Sequence, residues 1–439
     1  MDNKKFINKL IDACNNQKIT DVEVYYSNSS STMINVVDNE VETFNLSNDE
    51  GINLSGNYEG KKSTTYIEKF DDDALSEAVN NIKETAPYNG KTKKSIEKSQ
   101  IKPNSNNTYN ADVNVVIDRL KKVQNTAKNI DSRVISIPTC EYYEKNTSIM
   151  LLDDKGTELE DSYSYTIGSI SVVAEENGIK KNGYSFSINK KFEDINYETI
   201  LINAIYEATS MINASPIASG NYDVIIKNNV AANMFATFMT VLYADSIKKN
   251  TSKFVNKVDT QVAVKNLSII EDPMYKNGKI NRIFDDEGVK TYKKYLIENG
   301  ILKNILSTNE YEVSTGNAFR NSYRDNISIS ALNCYIEAGT KNTNEILSEL
   351  TEAVMITNID GLHAGMNTVT GDFSLIANGY YIKNGLIDKS INQITVAGNF
   401  YDLLNNIIDI SEDVYTSDAY INFFESPSLL VKGLMIGGL

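Results

Sequence analysis

The residues of this chain that could do acid–base or metal chemistry lie in two segments of its second half. The first segment, residues 361–373, holds His363, the only histidine in the sequence. Histidine is the usual general base near neutral pH and the commonest metal ligand. A single histidine excludes every multi-histidine site, and with it most catalytic zinc sites, within one subunit. Gly361, Gly365 and Gly371 are typical of a loop whose backbone comes close to backbone or ligand. His363 is then a base, a lone ligand, a donor to a peptide, or a structural residue with satisfied hydrogen bonds.

The second segment is an acidic cluster formed by Asp285, Asp286 and Glu287. Three neighbouring carboxylates could form an oxygen-rich cation site or an acid–base pair. We favour another interpretation, an exposed turn in front of a strand, because acidic clusters are mostly solvated.

Other catalytic and cofactor motifs are missing from the sequence. It has no G-x-S-x-G elbow, no G-x-x-x-x-G-K-[ST] or G-x-G-x-x-G phosphate loop and no H-E-x-x-H helix. The three cysteines, Cys14, Cys140 and Cys334, are far apart and form no C-x-x-C pair. A disulfide framework is therefore not expected, and a reducing cytoplasm fits.

Composition limits the class of partner. The 439 residues carry a net charge of −15, with 41% hydrophobic and 23% charged residues, as in a soluble globular protein. An acidic chain without a basic stripe is a poor ligand for a phosphate backbone, so we expect no nucleic-acid partner. The N-terminal segment is polar and no apolar run is long enough to span a bilayer, so we expect no signal peptide and no membrane partner. The predicted location is the cytoplasm.

The order of the elements that position these residues predicts an α+β fold. Helices and strands segregate rather than alternate along the chain. We divide it into an N-terminal mixed region with antiparallel strands at 1–216, with a polar linker at 87–110, and a strand-rich region at 217–439. The latter holds one prominent core helix at about 230–248, where apolar residues recur at helical spacing. Asn-Gly pairs, the strongest hairpin signal, are frequent; six of them lie at 177–178, 182–183, 277–278, 299–300, 378–379 and 384–385.

Several short strings, in order, resemble one known family. Near the N-terminus they are TDVEVYYS from Thr20, NEVE from Asn39 and DEGI from Asp49. In the second half they are FDDEGV from Phe284, ENGIL from Glu298, TGNA from Thr315, the whole 361–373 segment, TVAGNF from Thr395 and PSLLVKGLMIGG from Pro427. Together they make the chain similar to the TldD/PmbA family of peptidases, also called modulators of DNA gyrase.

The resemblance implies a metal site that this chain lacks. One branch of the family carries HExxxH on the C-terminal core helix and a later cysteine ligand, leaving one zinc position open for water and a glutamate as base. Here those positions fall at Phe235, Ala236 and Thr240, and the cysteine would fall within 409–415, where there is none. The chain thus resembles the PmbA branch, also called TldE, which lacks the motif. We expect no cofactor in this chain and zinc only in a partner subunit.

From the family we expect a subunit of a cytoplasmic two-chain zinc protease that acts on unfolded or modified peptides. Its partner would be a TldD-type HExxxH paralog, its ligand an extended peptide, and a homodimer could form when it is alone. The resemblance also implies curled antiparallel sheets in the second half. The predicted substrate-binding residues are His363, Asn367, Asp372 and Arg320.

Two other hypotheses stay open on the sequence. One is a stand-alone enzyme that uses His363 with Asp285, Asp286 or Asp372. The other is a regulatory or binding protein of the gyrase-modulator type with no proteolytic role.

Overall fold

The computed structural model describes residues 3–89, 98, 101, 108–311, 313–417 and 423–439. The predicted linker at 87–110 lies mostly outside these residues. The side chain of one described residue of it, Lys98, is buried and forms ion pairs with Glu23 at 2.9 Å and Asp153 at 3.1 Å. This residue is therefore fixed to the N-terminal sheet by charge.

The N-terminal half is built on one six-stranded sheet with order β3-β2-β1-β4-β5-β6, in which every pairing is antiparallel. Its first two strands are long, with 18 and 19 residues. The strands are β1 (Thr20–Val37), β2 (Glu40–Tyr58), β3 (Lys61–Ile67), β4 (Val134–Asp153), β5 (Glu158–Glu176) and β6 (Ile179–Asn189).

Helices cover one face of this sheet, and side chains alternate between its two faces along each strand. Tyr26 points to the helices, whereas its neighbour Tyr25 packs against the second half of the chain. Side chains of Asp71 and Asp112 cap the second and third helices by accepting backbone N–H bonds. The helices are α1 (Asn3–Asn16), α2 (Asp72–Thr85), α3 (Val113–Ile130) and α4 (Tyr197–Ser210).

The C-terminal half is a ten-stranded sheet that curls on itself. β18 pairs with both β16 and β7, which closes the path β7–β14–β15–β16–β18 into a ring. Most pairings are antiparallel; β7 with β14 and β13 with β18 are parallel. The strands are β7 (Gly220–Ile226), β8 (Ile269–Glu271), β9 (Lys294–Glu298), β10 (Ile301–Leu302), β13 (Cys334–Ile336), β14 (Glu352–Asp360), β15 (Asp372–Lys383), β16 (Leu386–Asn399), β17 (Ile407–Thr416) and β18 (Phe424–Gly437), with a separate pair β11 (Ala318–Phe319) and β12 (Ser328–Ile329).

The prominent core helix is present but shorter than predicted. α5 (Asn228–Phe238) packs against β14, β17 and β18, and a 3-10 turn follows it at Met239–Leu242. Tyr243 is extended, and the backbone around it bonds to Leu306 instead of continuing the helix. A tertiary pairing therefore overrides the helical periodicity. The remaining helices are α6 (Ala244–Lys248), α7 (Thr343–Ser348), α8 (Leu362–Gly365) and α9 (Phe400–Asn406).

The α+β class and the curled antiparallel sheets are confirmed. The strands of the first sheet lie within 20–189 and those of the second within 220–437. The boundary at 216–217 stays a prediction that is compatible with this arrangement. In the described part of the chain, every helix is too short or too polar to span a bilayer.

Candidate functional site

The loop at 361–372 connects β14 to β15 and holds three of the four predicted substrate-binding residues. Asn367 shapes it: its side-chain oxygen accepts N–H bonds from Val369 at 3.0 Å and Thr370 at 3.1 Å. Its backbone bonds to Asp372 and Gly371, both at 2.8 Å. The side chain of Asn367 thus fixes the conformation of the loop.

Asp372 anchors the loop to α9. Its exposed carboxylate accepts a hydrogen bond of 2.8 Å from Asn399, the residue that caps α9. Bonds from Asn399 and then Thr370 hold the pKa of Asp372 below its usual value, so the group is ionised at neutral pH. A carboxylate in this state accepts hydrogen bonds well but is a weak general base.

His363 is exposed on α8. Among the described residues, no carboxylate forms an ion pair with its ring and no hydrogen bond orients it. A catalytic histidine normally needs an orienting group. Asp285 and Asp286, two hypothetical partners, are bonded elsewhere, and Asp372 is engaged by Asn399. The geometry gives the stand-alone enzyme hypothesis no support.

Phe235, the first position that the resemblance predicts for the metal motif, lies in an aromatic core. The ring of Phe235 stacks on Phe424 at 5.6 Å and meets Phe400 edge-on at 5.3 Å. Phe400 donates its backbone N–H to Gly371 at 2.7 Å, which joins this core to the loop. The loop and α5 are therefore neighbours.

The residues at these positions do not fit a zinc ion. Phe235 and Ala236 have no donor atom, and Thr240 is exposed in the 3-10 turn after α5. In the cysteine region, Asp413 accepts bonds from Asn228 at 2.9 Å and Thr343 at 2.6 Å. Within the described ranges, no three histidine, cysteine, aspartate or glutamate side chains gather as they would around a metal.

The acidic cluster is not an exposed turn, so our favoured interpretation of it was wrong. Asp285 and Asp286 are 0% and 1% exposed. Asp285 accepts backbone N–H bonds from Glu287 at 3.0 Å, Val289 at 2.9 Å and Ala318 at 3.0 Å. Asp285 and Asp286 are buried, and the carboxylate of Asp285 organises the backbone of the loop that contains it.

Glu287 and Asp286 are also engaged within the chain. The carboxylate of Glu287 accepts the backbone and side-chain N–H groups of Asn309 at 3.0 and 2.7 Å. Asp286 accepts bonds from the guanidinium of Arg282 at 2.9 Å and the backbone of Arg320 at 2.8 Å. These contacts account for the acids as structural groups rather than as a cation site.

Replacing Asp285 with asparagine is expected to remove a pH dependence of stability. Burial raises the pKa of Asp285 to about 7, and repulsion from Glu287 and Asp286 adds to this rise. The N–H groups that donate to its carboxylate lower the pKa but do not cancel the rise. An acid whose pKa is raised on folding gives stability that is present below its unfolded pKa of about 4 and lost as pH rises towards 7. The parent should therefore lose on the order of 4 kcal/mol relative to Asp285→Asn between pH 4 and 7. Urea unfolding at several pH values measures the difference, and parallel profiles would contradict it.

Arg320 lies apart from the other predicted residues. It follows β11 and faces the N-terminal sheet, with its guanidinium over the ring of Tyr25 at 4.5 Å. It contributes to a cleft that we call the Arg320 cleft. The lining residues are Lys145, Tyr163, Tyr165, Ile280, Arg282, Phe319, Arg320, Asn321, Ser328, Ser330, Ala331 and Leu332.

Sequence reasoning missed Lys145 and Arg282 as cations of this cleft. Local signals existed: Tyr163 and Tyr165 alternate on β5, and Arg282 is four residues from Asp286. Lys145 pairs in register with Tyr165, which places both on one face of the sheet. Nothing local indicated that this face meets residues 280–332.

Comparison with known proteins gives one family over most of the chain. Residues 219–438 match the model described as the PmbA/TldA metallopeptidase C-terminal domain. Residues 22–86 match domain 1 of the same description, and residues 107–212 match its central domain. The chain is 27% identical to the metalloprotease PmbA of Escherichia coli O157:H7 over 263 residues, which span 58% of this chain and 56% of that relative.

Solved structures agree along the whole length. A structure from Thermotoga maritima, described as a modulator of a DNA gyrase, is 26% identical, with a TM-score of 0.86 over 99% of this chain and 100% of that one. TldE from Thermococcus kodakarensis is 20% identical, with a TM-score of 0.89 over 99% of this chain and 100% of that one. The latter likeness concerns the fold alone.

Proposed function

The chain belongs to the PmbA/TldD metallopeptidase family, and we propose that it acts there as the metal-free subunit of a two-chain zinc metalloprotease. The partner would be a TldD-type chain with HExxxH, and the substrates unfolded or modified peptides. A cytoplasmic location and a homodimer in the absence of the partner belong to the same proposal.

One observation carries the proposal: the helix at the place of the metal motif is filled by core packing. Phe235 is 2% exposed and in contact with Phe400 and Phe424, so it cannot turn towards a metal. Ala236 replaces the general base and has no ionisable group. A chain built this way has neither the ligands nor the base for metal-assisted hydrolysis of a peptide.

What this chain would contribute is substrate binding. The 361–372 loop presents an exposed imidazole at His363 and an ionised carboxylate at Asp372. Such groups can form hydrogen bonds with the backbone of an extended peptide without contacting its side chains. Low sequence specificity would then follow, as degradation of unfolded peptides requires.

The purified chain is expected to hold no stoichiometric zinc after dialysis against buffer with a trace of the metal. The physical reason is the absence of donors at Phe235, Ala236 and Thr240. Elemental analysis of the isolated chain, with the HExxxH paralog of the same host as positive control, measures this. One zinc per chain, together with casein digestion that EDTA abolishes, would contradict the proposal.

A further inference from the structure

The Arg320 cleft lies between one face of β4 and β5 and the segment 280–332. Its volume is about 230 Å³, which suits a small molecule or a single chain end. Tyr163, Tyr165 and Phe319 supply aromatic walls. Three cationic side chains, Lys145, Arg282 and Arg320, line the same space, in a protein whose net charge is −15. Cations that cluster in an acidic protein need an explanation.

Arg282 is neutralised inside the protein. It is 3% exposed, and its guanidinium pairs with Asp161 at 3.2 Å and Asp286 at 2.9 Å. Its charge also lies over the rings of Tyr163 at 5.5 Å and Phe319 at 5.2 Å. A buried arginine with two carboxylates in contact has no need of a ligand.

Arg320 is not neutralised in this way. Its backbone, and not its side chain, bonds to Asp286. The guanidinium reaches the backbone oxygen of Asp325 at 3.4 Å, and its Nε is shut off from solvent with no hydrogen-bond partner in the described structure. A buried N–H donor without an acceptor costs about 1–3 kcal/mol. Because this nitrogen is shut off from solvent, a ligand in the cleft would not reach it, and what the ligand would meet is a guanidinium charge that no carboxylate of the described residues pairs with.

Lys145 is the second cation without a carboxylate. In the part of the chain that the structure describes, no acid lies within ion-pair distance of its ammonium. Burial lowers its pKa, with only a weaker opposing effect from Asp49. An anion in the cleft would favour the charged ammonium. The two unpaired cations thus line one small space with aromatic walls.

We propose that the Arg320 cleft binds the carboxylate of a small acid with an apolar body, of the type of an N-acylated aromatic amino acid. The planar fork of Arg320 suits a carboxylate, Lys145 adds a point charge, and the aromatic walls receive the apolar part. A free phosphate has no apolar part and would leave the aromatic walls without a contact. The same chemistry is found in a free acid and at the C-terminus of a peptide. The inference rests on the cleft alone and holds whether or not the chain is a protease subunit.

Titration calorimetry on the full isolated chain with N-acetyl-phenylalanine and its uncharged amide tests the proposal. We expect the acid to bind one to one with a Kd of ~1 mM or lower. The amide should bind roughly tenfold or more weakly, because it cannot satisfy the two cations. Arg320→Gln and Lys145→Gln should each weaken binding of the acid by a similar factor and leave binding of the amide unchanged.

Arg133→Gln is the matched control, since Arg133 pairs with Asp131 at the start of the same sheet and is not part of the cleft. It should bind the acid as the parent does, and thermal unfolding of all three variants checks their fold.

A short peptide that ends in phenylalanine identifies the source of the carboxylate. If it binds like the acid, the ligand is a chain end; if only the acid binds, the ligand is a free acid. Three results would overturn the proposal: equal binding of acid and amide, no binding of either, or unchanged binding of the acid by both glutamine variants. None of these results bears on zinc content or on cleavage with a partner.

Discussion

Peptide cleavage is expected to appear when this chain is combined with a family member that carries HExxxH, and to be absent from this chain alone. Hydrolysis needs a metal-bound water and a general base, and Phe235, Ala236 and Thr240, at the positions that the resemblance predicts for the metal motif, can provide neither. A working site accelerates such reactions by roughly 10⁶-fold or more. Cleavage should therefore be readily measured for the complex and undetectable for this chain alone. Co-expression with the paralog of the same host, size-exclusion chromatography and digestion of casein measure it.

The matched control keeps this chain unchanged and replaces the glutamate of the partner's HExxxH with glutamine. That complex should form and bind zinc but cleave nothing, which assigns the chemistry to the partner. A complex that forms but leaves casein intact with both chains unaltered would favour the regulatory alternative. EDTA-sensitive cleavage by the isolated chain would refute the assignment of roles altogether.

Local sequence signals were enough for many elements of the fold. Apolar residues recur at helical spacing from Phe6 to Cys14, and they form the buried face of α1. Asn-Gly pairs at 299–300 and 384–385 form the predicted hairpin turns, and their residues have positive φ as the turn requires. These features depend on neighbours in the sequence, which is why they could be predicted.

The same dipeptide misled elsewhere, where a distant contact decides the structure. The pairs at 182–183 and 378–379 lie inside β6 and β15 rather than at turns. A Cβ on Gly183 would lie 2.0 Å from the backbone oxygen of Ala204, and one on Gly379 would lie 1.8 Å from that of Met355. Glycine is needed there for close packing of backbone on backbone, which no local pattern distinguishes from a turn.

The candidate site shows the same division between local and distant information. Asn367 and Asp372 belong to one short segment of the sequence, and their backbones bond to each other. Arg320 was grouped with them through the resemblance, yet its surroundings come from Tyr25 and Lys145 of the N-terminal sheet. The burial of Asp286 likewise depends on Arg282 and on how the two halves pack. Pairings of this kind need the fold before they can be recognised.

A buried ion pair gives the largest expected effect on stability. Glu271 and Lys294 are 0% and 4% exposed and bonded to each other, and both also bond to Asn317, at 3.0 and 3.2 Å. Leu332 donates its backbone N–H to Glu271 at 3.1 Å. Burial raises the pKa of Glu271, and the ammonium of Lys294 is the main group that opposes this. The carboxylate therefore depends on the lysine for its charge.

Lys294→Met is expected to lower the free energy of unfolding by about 3–5 kcal/mol near neutral pH, because it leaves a buried carboxylate unpaired. The penalty should shrink as pH falls, since a protonated Glu271 needs no cation and its folded pKa lies above the unfolded one. Replacing both residues with methionine should recover most of the loss, because two apolar groups leave no charge to desolvate.

Lys9→Met is the matched control: Lys9 pairs with Asp72 at 2.5 Å on the surface, where a pair contributes about 0–1 kcal/mol. Urea unfolding of the four proteins measures these differences. A loss for Lys294→Met no larger than for Lys9→Met would mean that the buried pair does not hold the fold together.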